Sequence, residues 1–221
     1  MKIFLVRHGE SEFNLSNWYM PKKDSTIELN DRGIKQANDA GDALRKILDP
    51  EEYKNKNVKV LVSPYVRAKR TFEEMNKHLD IESSRVFEED LLVEQSYGLF
   101  HGFKELKYNM DKYPNEYLKY IDIVEKAGEY YTPKYGGESD FDVVMRAKTL
   151  IEAIHREARD ENIDILIIVS HAAFLKCFIK AFFRYTMEWY ENEPLPGNCS
   201  IQLIDNNKYI GYVFGDKESK V

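Results

Sequence analysis

The sequence predicts an α/β fold: a three-layer sandwich with a mainly parallel central sheet, helices on both faces, and a helical and loop insertion over one edge. Three observations carry this expectation. Residues 3–6 (Ile-Phe-Leu-Val), 58–62 (Val-Lys-Val-Leu-Val) and 165–169 (Ile-Leu-Ile-Ile-Val) are short runs dominated by branched apolar side chains, the pattern of strands buried on both faces. Stretches with apolar residues at helical spacing alternate with them, which is the order of βαβ units. Each run also stops abruptly at polar residues: Arg7-His8-Gly9 after the first, Ser63-Pro64 and then Arg67 after the second, Ser170-His171 after the third.

Taken in order, the first strand leads into Ser11-Glu12-Phe13-Asn14 and an aromatic, basic loop over residues 18–23. Asn30 or Asp31 then caps a helix whose apolar positions are Ile34, Ala37, Gly41, Leu44 and Leu48, with Pro50 marking its end. After the second strand, Ser63 as cap and Pro64 at the first helical position predict a helix through Ala68, Phe72, Met75 and Leu79. Residues 86–93 read as a short strand or extended segment leading to Glu94. Residues 97–137 read as an insertion, with short helices at 103–112 and 115–127 separated by Pro114 and a tyrosine-rich loop at 130–137; insertions of this size are usually functional. Ser139 with Asp142 three residues on forms a capping box before a helix that buries Val144, Ala147, Ile151, Ile154 and Ala158. The third strand and a helix from Ala172 to about Phe183 follow. Ile201 and Leu203, then Asn206-Asn207 and Tyr209, read as a closing hairpin. With no repeat or linker, residues 1–221 are expected to form one domain with 97–137 as its cap.

Composition narrows the function classes. Of 221 residues, 32% are charged and 43% hydrophobic, enough apolar mass for a soluble core. A net charge of −6 argues against nucleic acid as the main partner, yet leaves room for a local positive cleft. No apolar stretch approaches the ~20 residues of a membrane span, and Met1-Lys2-Ile3 enters the first strand directly, so neither a membrane anchor nor a signal peptide is expected. The two cysteines, Cys177 and Cys199, lack framework spacing and are expected to be core thiols of a reducing, cytoplasmic compartment. Nothing in the sequence specifies an oligomeric state.

Ligands of open α/β sheets bind beyond the carboxyl ends of the strands. Three such ends bringing Arg7, His8, Arg67 and His171 together would build a pocket for an anion, most simply a phosphate. A neutral imidazole can attack phosphorus and carry the phosphoryl group, provided one ring nitrogen donates to a fixed acceptor; a backbone carbonyl near His8 would serve. Gly9 would let the chain leave the strand without a Cβ clash. Arg7 and Arg67 offer planar forks for phosphoryl oxygens, although Lys69 and Arg70 nearby leave a solvated helix face as the plainer reading of Arg67 alone. For His171, burial would lower the pKa and a bound phosphate dianion would raise it. No His, Asp or Glu cluster has metal-ligand spacing, and no glycine-rich nucleotide loop is present, so neither metal nor cofactor is expected. His78 and His155 fall on predicted helices and read as structural or solvated; His101, near Glu94, is a candidate for the pocket rim.

Leu5-Val6-Arg7-His8-Gly9-Glu10, Ser63-Pro64 with Arg67-Ala68 and Thr71, Glu94 with Gly98, and Val169-Ser170-His171-Ala172 resemble the motifs of the histidine phosphatase superfamily, in its phosphoglycerate-mutase-like branch. The resemblance spans residues 3–172 in the family's order. It implies that His8 is the phosphorylated nucleophile, that Arg67 rather than Arg70 contacts the phosphate, and that His171 is a cationic donor to it. It further implies that Glu94, rather than Glu88, Glu89 or Asp90, is the general acid/base, and that Asn14, with Gly9, binds substrate. The expected activity is hydrolysis of a small phosphorylated substrate, as a phosphoric monoester hydrolase of the histidine acid phosphatase type. A cofactor-dependent phosphoglycerate mutase is the alternative, and a non-catalytic phosphate-binding protein a more distant one. The mutase branch resembles this chain at Glu94, Tyr97 and Gly98, with Lys104 or Lys107 as their partners, and departs afterwards: mutases carry paired arginines in the insertion and Gly-Asn after the second histidine, where this chain has no arginine in 97–137 and has Ala172-Ala173. The loop tyrosines at 130–135 and residues 18–23 are expected at the pocket mouth.

Overall fold

The computed structural model describes residues 1–15, 22–48, 53, 55–102 and 108–218. A six-stranded sheet organises them: β1 (Lys2–Arg7), β2 (Val58–Val62), β3 (Val86–Glu88), β4 (Ile165–Ser170), β5 (Ile201–Asp205) and β6 (Lys208–Phe214), in the spatial order β3-β2-β4-β1-β5-β6. The first four strands are parallel to one another, and β5 and β6 join antiparallel at one edge. Left-handed Asn206 and Asn207 make the tight turn between the last two, the conformation in which asparagine is tolerated best after glycine.

The helices follow the sequence periodicity. They are α1 (Glu12–Leu15), α2 (Asp31–Ile47), α3 (Val66–Leu79), α4 (Asn109–Lys112), α5 (Pro114–Ala127), α6 (Asp140–Asp160), α7 (Ala172–Phe183) and α8 (Met187–Asn192). Asn30, not Asp31, caps α2, its side chain accepting from Gly33 N at 2.8 Å. Ser139 and Asp142 form the reciprocal capping box. Pro114 opens α5 instead of only separating it from α4, as its missing N–H allows at a first helical position. Of the helix expected over 103–112, residues 103–107 lie outside the described residues.

The β1 side chains alternate between two cores. Ile3 and Leu5 join Leu166, Ile168 and the α6–α7 layer through Val143, Leu150, Phe174 and Phe178. Phe4 and Val6 join Ile167, Val169 and the α2–α3 layer through Ala37, Leu44, Phe72 and Met75. Both faces of β1 are thus closed, each large side chain contributing on the order of 1.5–3 kcal/mol by burial. Cys177 and Cys199 are free and buried, and burial pushes both thiols up to about 12. Among the described residues no helix is long and apolar enough to cross a membrane.

Register positions the chemistry. Arg7 lies opposite Ser170, and Val62 opposite Val169. The next residues along each strand, His8, Ser63 and His171, therefore emerge side by side at one sheet edge.

Candidate active site

Backbone bonds fix that edge: His8 N donates to Ser170 O at 2.9 Å, Ser63 N to Val169 O at 3.0 Å and Cys199 N to Arg7 O at 3.1 Å. Gly9 is required by close approach, not by a left-handed turn; a Cβ there would lie 2.5 Å from Gly33 O at the start of α2. Its N–H is taken by Thr71 Oγ1 at 3.0 Å, and Thr71 in turn donates to Arg67 O at 2.7 Å. What Gly9 offers the site is its carbonyl.

That carbonyl sits 2.7 Å from His8 Nδ1. A carbonyl only accepts, so Nδ1 carries the proton. Arg67 Nε donates to the other ring nitrogen, Nε2, at 3.2 Å, which requires a lone pair there. Two contacts thus select one neutral tautomer. Burial, then Arg67 and Arg7, hold the His8 pKa well below its ordinary 6.5.

Ser63 departs from the expectation. Helix α3 begins at Val66, with Tyr65 at the N-cap position and no side-chain cap. The Ser63 hydroxyl is spent instead on His171 Nε2, at 2.8 Å, so the chain makes a further bend before the helix starts. His171 is fully buried and meets His8 edge-on, with ring centroids 5.1 Å apart. Burial, then Arg67 and His8, hold its pKa well below 6.5. Among the described residues its Nδ1 is buried without a partner, as is Arg7 Nε.

Arg7, His8, Asn14, Arg67, Glu94 and Tyr97 are among the walls of a cavity of about 190 Å³. Glu94 lies at the N-terminus of α7, where Oε1 accepts from Phe174 N at 3.1 Å and Oε2 from Ala173 N at 3.3 Å. Burial nevertheless raises its pKa above the ordinary value, against those bonds, the Gln95 N–H and the Arg67 charge. The sequence reading missed what aims it: Arg146 on α6 donates to Leu91 O at 2.6 Å and Val93 O at 2.9 Å. Only the burial of one arginine on an otherwise apolar helix face could have signalled this. Asn14 Oδ1 accepts from Ser11 N and Oγ, both at 2.9 Å, which leaves its NH₂ as the group for an anion.

His101 also lines the cavity, its Nε2 2.9 Å from Lys22 O. His78 lies 3.3 Å from Asn38 and His155 packs on Phe182, away from the cavity. The tyrosines at 130–135 do not face it. Tyr130 is buried against Tyr190 in the core, and Tyr131 packs on Tyr130; with Lys134 they line an adjoining chamber of about 720 Å³ that shares Gln95, Tyr97, Ala173 and Leu195 with the first. Anchoring to apolar neighbours outweighs exposure at the mouth for Tyr130. Trp18, Tyr19, Lys104 and Lys107 lie outside the described residues.

A mainly parallel α/β sheet presenting two histidines and two arginines at one edge, with a half-buried carboxyl beside them, is the arrangement of the histidine phosphatase class. The chain belongs to the histidine phosphatase superfamily (branch 1), whose profile matches residues 3–210. A phosphoglycerate mutase-like protein of Arabidopsis thaliana is 28% identical over 216 residues, covering 92% of this chain. This chain spans 64% of that protein's length. Phosphoserine phosphatase 1 of Hydrogenobacter thermophilus is 28% identical over 171 residues, 77% of this chain and 71% of that protein. The solved structure of phosphoserine phosphatase from Entamoeba histolytica with 3-phosphoglyceric acid superposes with a TM-score of 0.68 at 21% identity, over 99% of this chain and 98% of that one; it shares the fold.

Proposed function

We propose that this protein hydrolyses small phosphomonoesters through a phosphohistidine on His8. The observation that carries this reading is the tautomer: Nδ1 protonated against Gly9 O and Nε2 bearing a lone pair toward Arg67. A nucleophilic imidazole needs that state.

The substrate phosphate enters between Arg7 and Arg67. Its oxygens accept from two buried groups at the site that have no partner among the described residues, Arg7 Nε and, once the ring has taken a proton from solvent in the arriving dianion's field, His171 Nδ1. Leaving such groups unsatisfied costs about 1–3 kcal/mol each, so a bound anion that accepts from them is favoured. Arg67 Nε exchanges His8 Nε2 for a phosphoryl oxygen. His8 Nε2 attacks phosphorus, the P–O bond to the leaving group breaks, and Glu94 gives its proton to the departing oxygen. The Glu94 carboxylate then takes a proton from water as that water attacks phosphorus and the N–P bond breaks. Orthophosphate leaves, and both His8 and Glu94 return to their starting states. The raised pKa of Glu94 suits a group that must start protonated. Asn14 supplies a further donor to the phosphate.

The adjoining chamber receives the rest of the substrate, and residues 97–137 act as the cap of a single catalytic unit. The test is hydrolysis of an aryl phosphate by the wild-type protein, with His8→Ala abolishing it. Unchanged turnover in His8→Ala removes the mechanism.

A further inference from the structure

Arg7 and Arg67 are held in the same way, and neither arrangement follows from the sequence motifs. Arg7 NH1 donates to Pro196 O at 2.7 Å and to the Glu218 carboxylate. Arg67 NH1 donates to Asp24 O at 2.7 Å and pairs with Asp24 Oδ1 at 2.8 Å. In each case one terminal nitrogen is committed to a carbonyl and a carboxylate, while the rest of the guanidinium is left for the cavity. Arg67 Nε is on His8 and Arg7 Nε has no partner.

The arginine side chains are only 6% exposed, against 24% for Asp24 and 42% for Glu218. Glu218 therefore approaches Arg7 from outside the cavity, whereas Asp24 stands in the cavity wall beside Arg67. Glu218 does not depend on this contact for its place: its N–H donates to Leu195 O at 2.8 Å, Gly197 N donates to Asp216 O at 2.8 Å, and Lys217 pairs with Glu193.

We propose that Asp24 and Glu218 are positioning residues that clamp the outer nitrogens of Arg67 and Arg7, so that the remaining edge of each fork meets the phosphate. The two carboxylates act through the arginines, Asp24 from the cavity wall and Glu218 from outside it. A planar fork rewards this arrangement, because bidentate pairing requires the plane to be fixed before the ligand arrives. The inference rests on the phosphate-cradle reading above.

The sign of the effect on binding makes it testable. Removing a negative charge beside an anion site should tighten anion binding if the carboxylate acts only through its field, or competes for the arginine. Removing a clamp should weaken binding. The experiment uses the full chain with Asp24→Asn and Glu218→Gln. It measures calorimetric affinity for orthophosphate and orthovanadate, kcat and KM on 4-nitrophenyl phosphate, and Tm. Each variant should weaken orthophosphate binding and raise KM about three- to tenfold with kcat changed less than about twofold, because ground state and transition state lose the contact alike. Asp24→Glu and Glu218→Asp should recover part of the loss.

Unchanged affinity makes these ordinary surface pairs, and tighter binding makes them competitors of the substrate; either result overturns the proposal. A lowered active fraction with unchanged KM overturns it too, as a purely structural effect. Should Asp24→Asn destabilise the fold, Glu218→Gln decides, since its backbone is held independently. Wild-type protein that binds orthophosphate without turnover, with both variants weakened, would sink the catalytic reading and leave the clamps standing. Turnover through His8 with unaltered affinity in both variants would sink the clamps alone, and a wild-type cradle that binds no orthophosphate would sink both.

Discussion

Arg67 Nε lies 3.2 Å from His8 Nε2, the nitrogen that attacks phosphorus in the proposed mechanism. The contact keeps the imidazole deprotonated there and has to be exchanged when substrate arrives. Arg67→Lys removes the Nε–H and the planar fork together. Loss of one preorganised donor at a transition-state charge costs about 10²–10³ in rate, so kcat/KM on an aryl phosphate should fall by that order. Rapid quenching without acid should trap labelled phosphate on His8 in the wild type. Label on another residue, with His8→Ala still active, rejects the assignment.

Glu94 sets a second expectation. Burial raises its pKa, while burial and the two arginines lower that of His8. The proposed active state has Glu94 protonated and His8 neutral, so kcat/KM should fall at acid pH as His8 is protonated, and at higher pH as Glu94 ionises. Glu94→Gln should remove the alkaline limb and slow an alkyl phosphate far more than 4-nitrophenyl phosphate, whose leaving group needs little protonation. Equal losses on the two substrates would point to another acid, with Glu89 the first to test.

The same pKa shifts bear on stability. His8 and His171 have folded pKa values below their ordinary 6.5. The unfolded chain therefore takes up protons first as pH drops, and stability present above about 6.5 is lost as pH falls toward the folded values. Each ring contributes a slope of up to about 1.4 kcal/mol per pH unit over that window. Glu94 has the opposite sign: its raised folded pKa contributes stability below the ordinary 4.5 that is lost as pH rises through the folded value. Urea unfolding at pH 7, 6 and 5 should show a decline that His171→Asn reduces. A decline identical in the variant would show that His171 is not one of the groups responsible.

The strands and most helices were legible because single local signals specify them: branched apolar runs for β1, β2 and β4, and a capping box for α6. The convergence of Arg7, His8, Arg67 and His171 was legible because strand ends share an edge in a mainly parallel sheet, and Glu94 was legible from its apolar neighbours and the family motif. Ser63 was misread for a physical reason. As an N-cap signal it is local, but a buried partner in another strand, His171, competes for the same hydroxyl. Asp24, Arg146 and Glu218 were invisible because their roles depend on contacts 43, 55 and 211 residues away in sequence, with no motif to join them. Tyr130 is set back from the first cavity because it does two things at once, anchoring its loop on Tyr190 and lining the adjoining chamber, and a tyrosine in a polar stretch reads the same in either role.

The last expectation concerns the fate of the phosphohistidine. A mutase must keep water out while a doubly charged phosphoglycerate reorients, which calls for fixed cations around the substrate carboxylate. No arginine occurs in residues 97–137. Lys134, the buried cation of that segment, is matched by Asp140 at 3.3 Å and lies over the Tyr97 ring. Lys176 in the adjoining chamber lies over the Tyr190 ring at 4.2 Å. After the second histidine, Ala173 spends its N–H on Glu94 and brings no side-chain donor. With Lys134 and Lys176, the cations of the adjoining chamber among the described residues, matched by an acid or an aromatic face, the intermediate should meet water before a second phosphoglycerate acceptor. Supplied with 3-phosphoglycerate and 2,3-bisphosphoglycerate, the protein should release orthophosphate and show no bisphosphoglycerate requirement on other phosphomonoesters. Isomerisation much faster than phosphate release would make it a mutase, with the same His8 chemistry and a different acceptor.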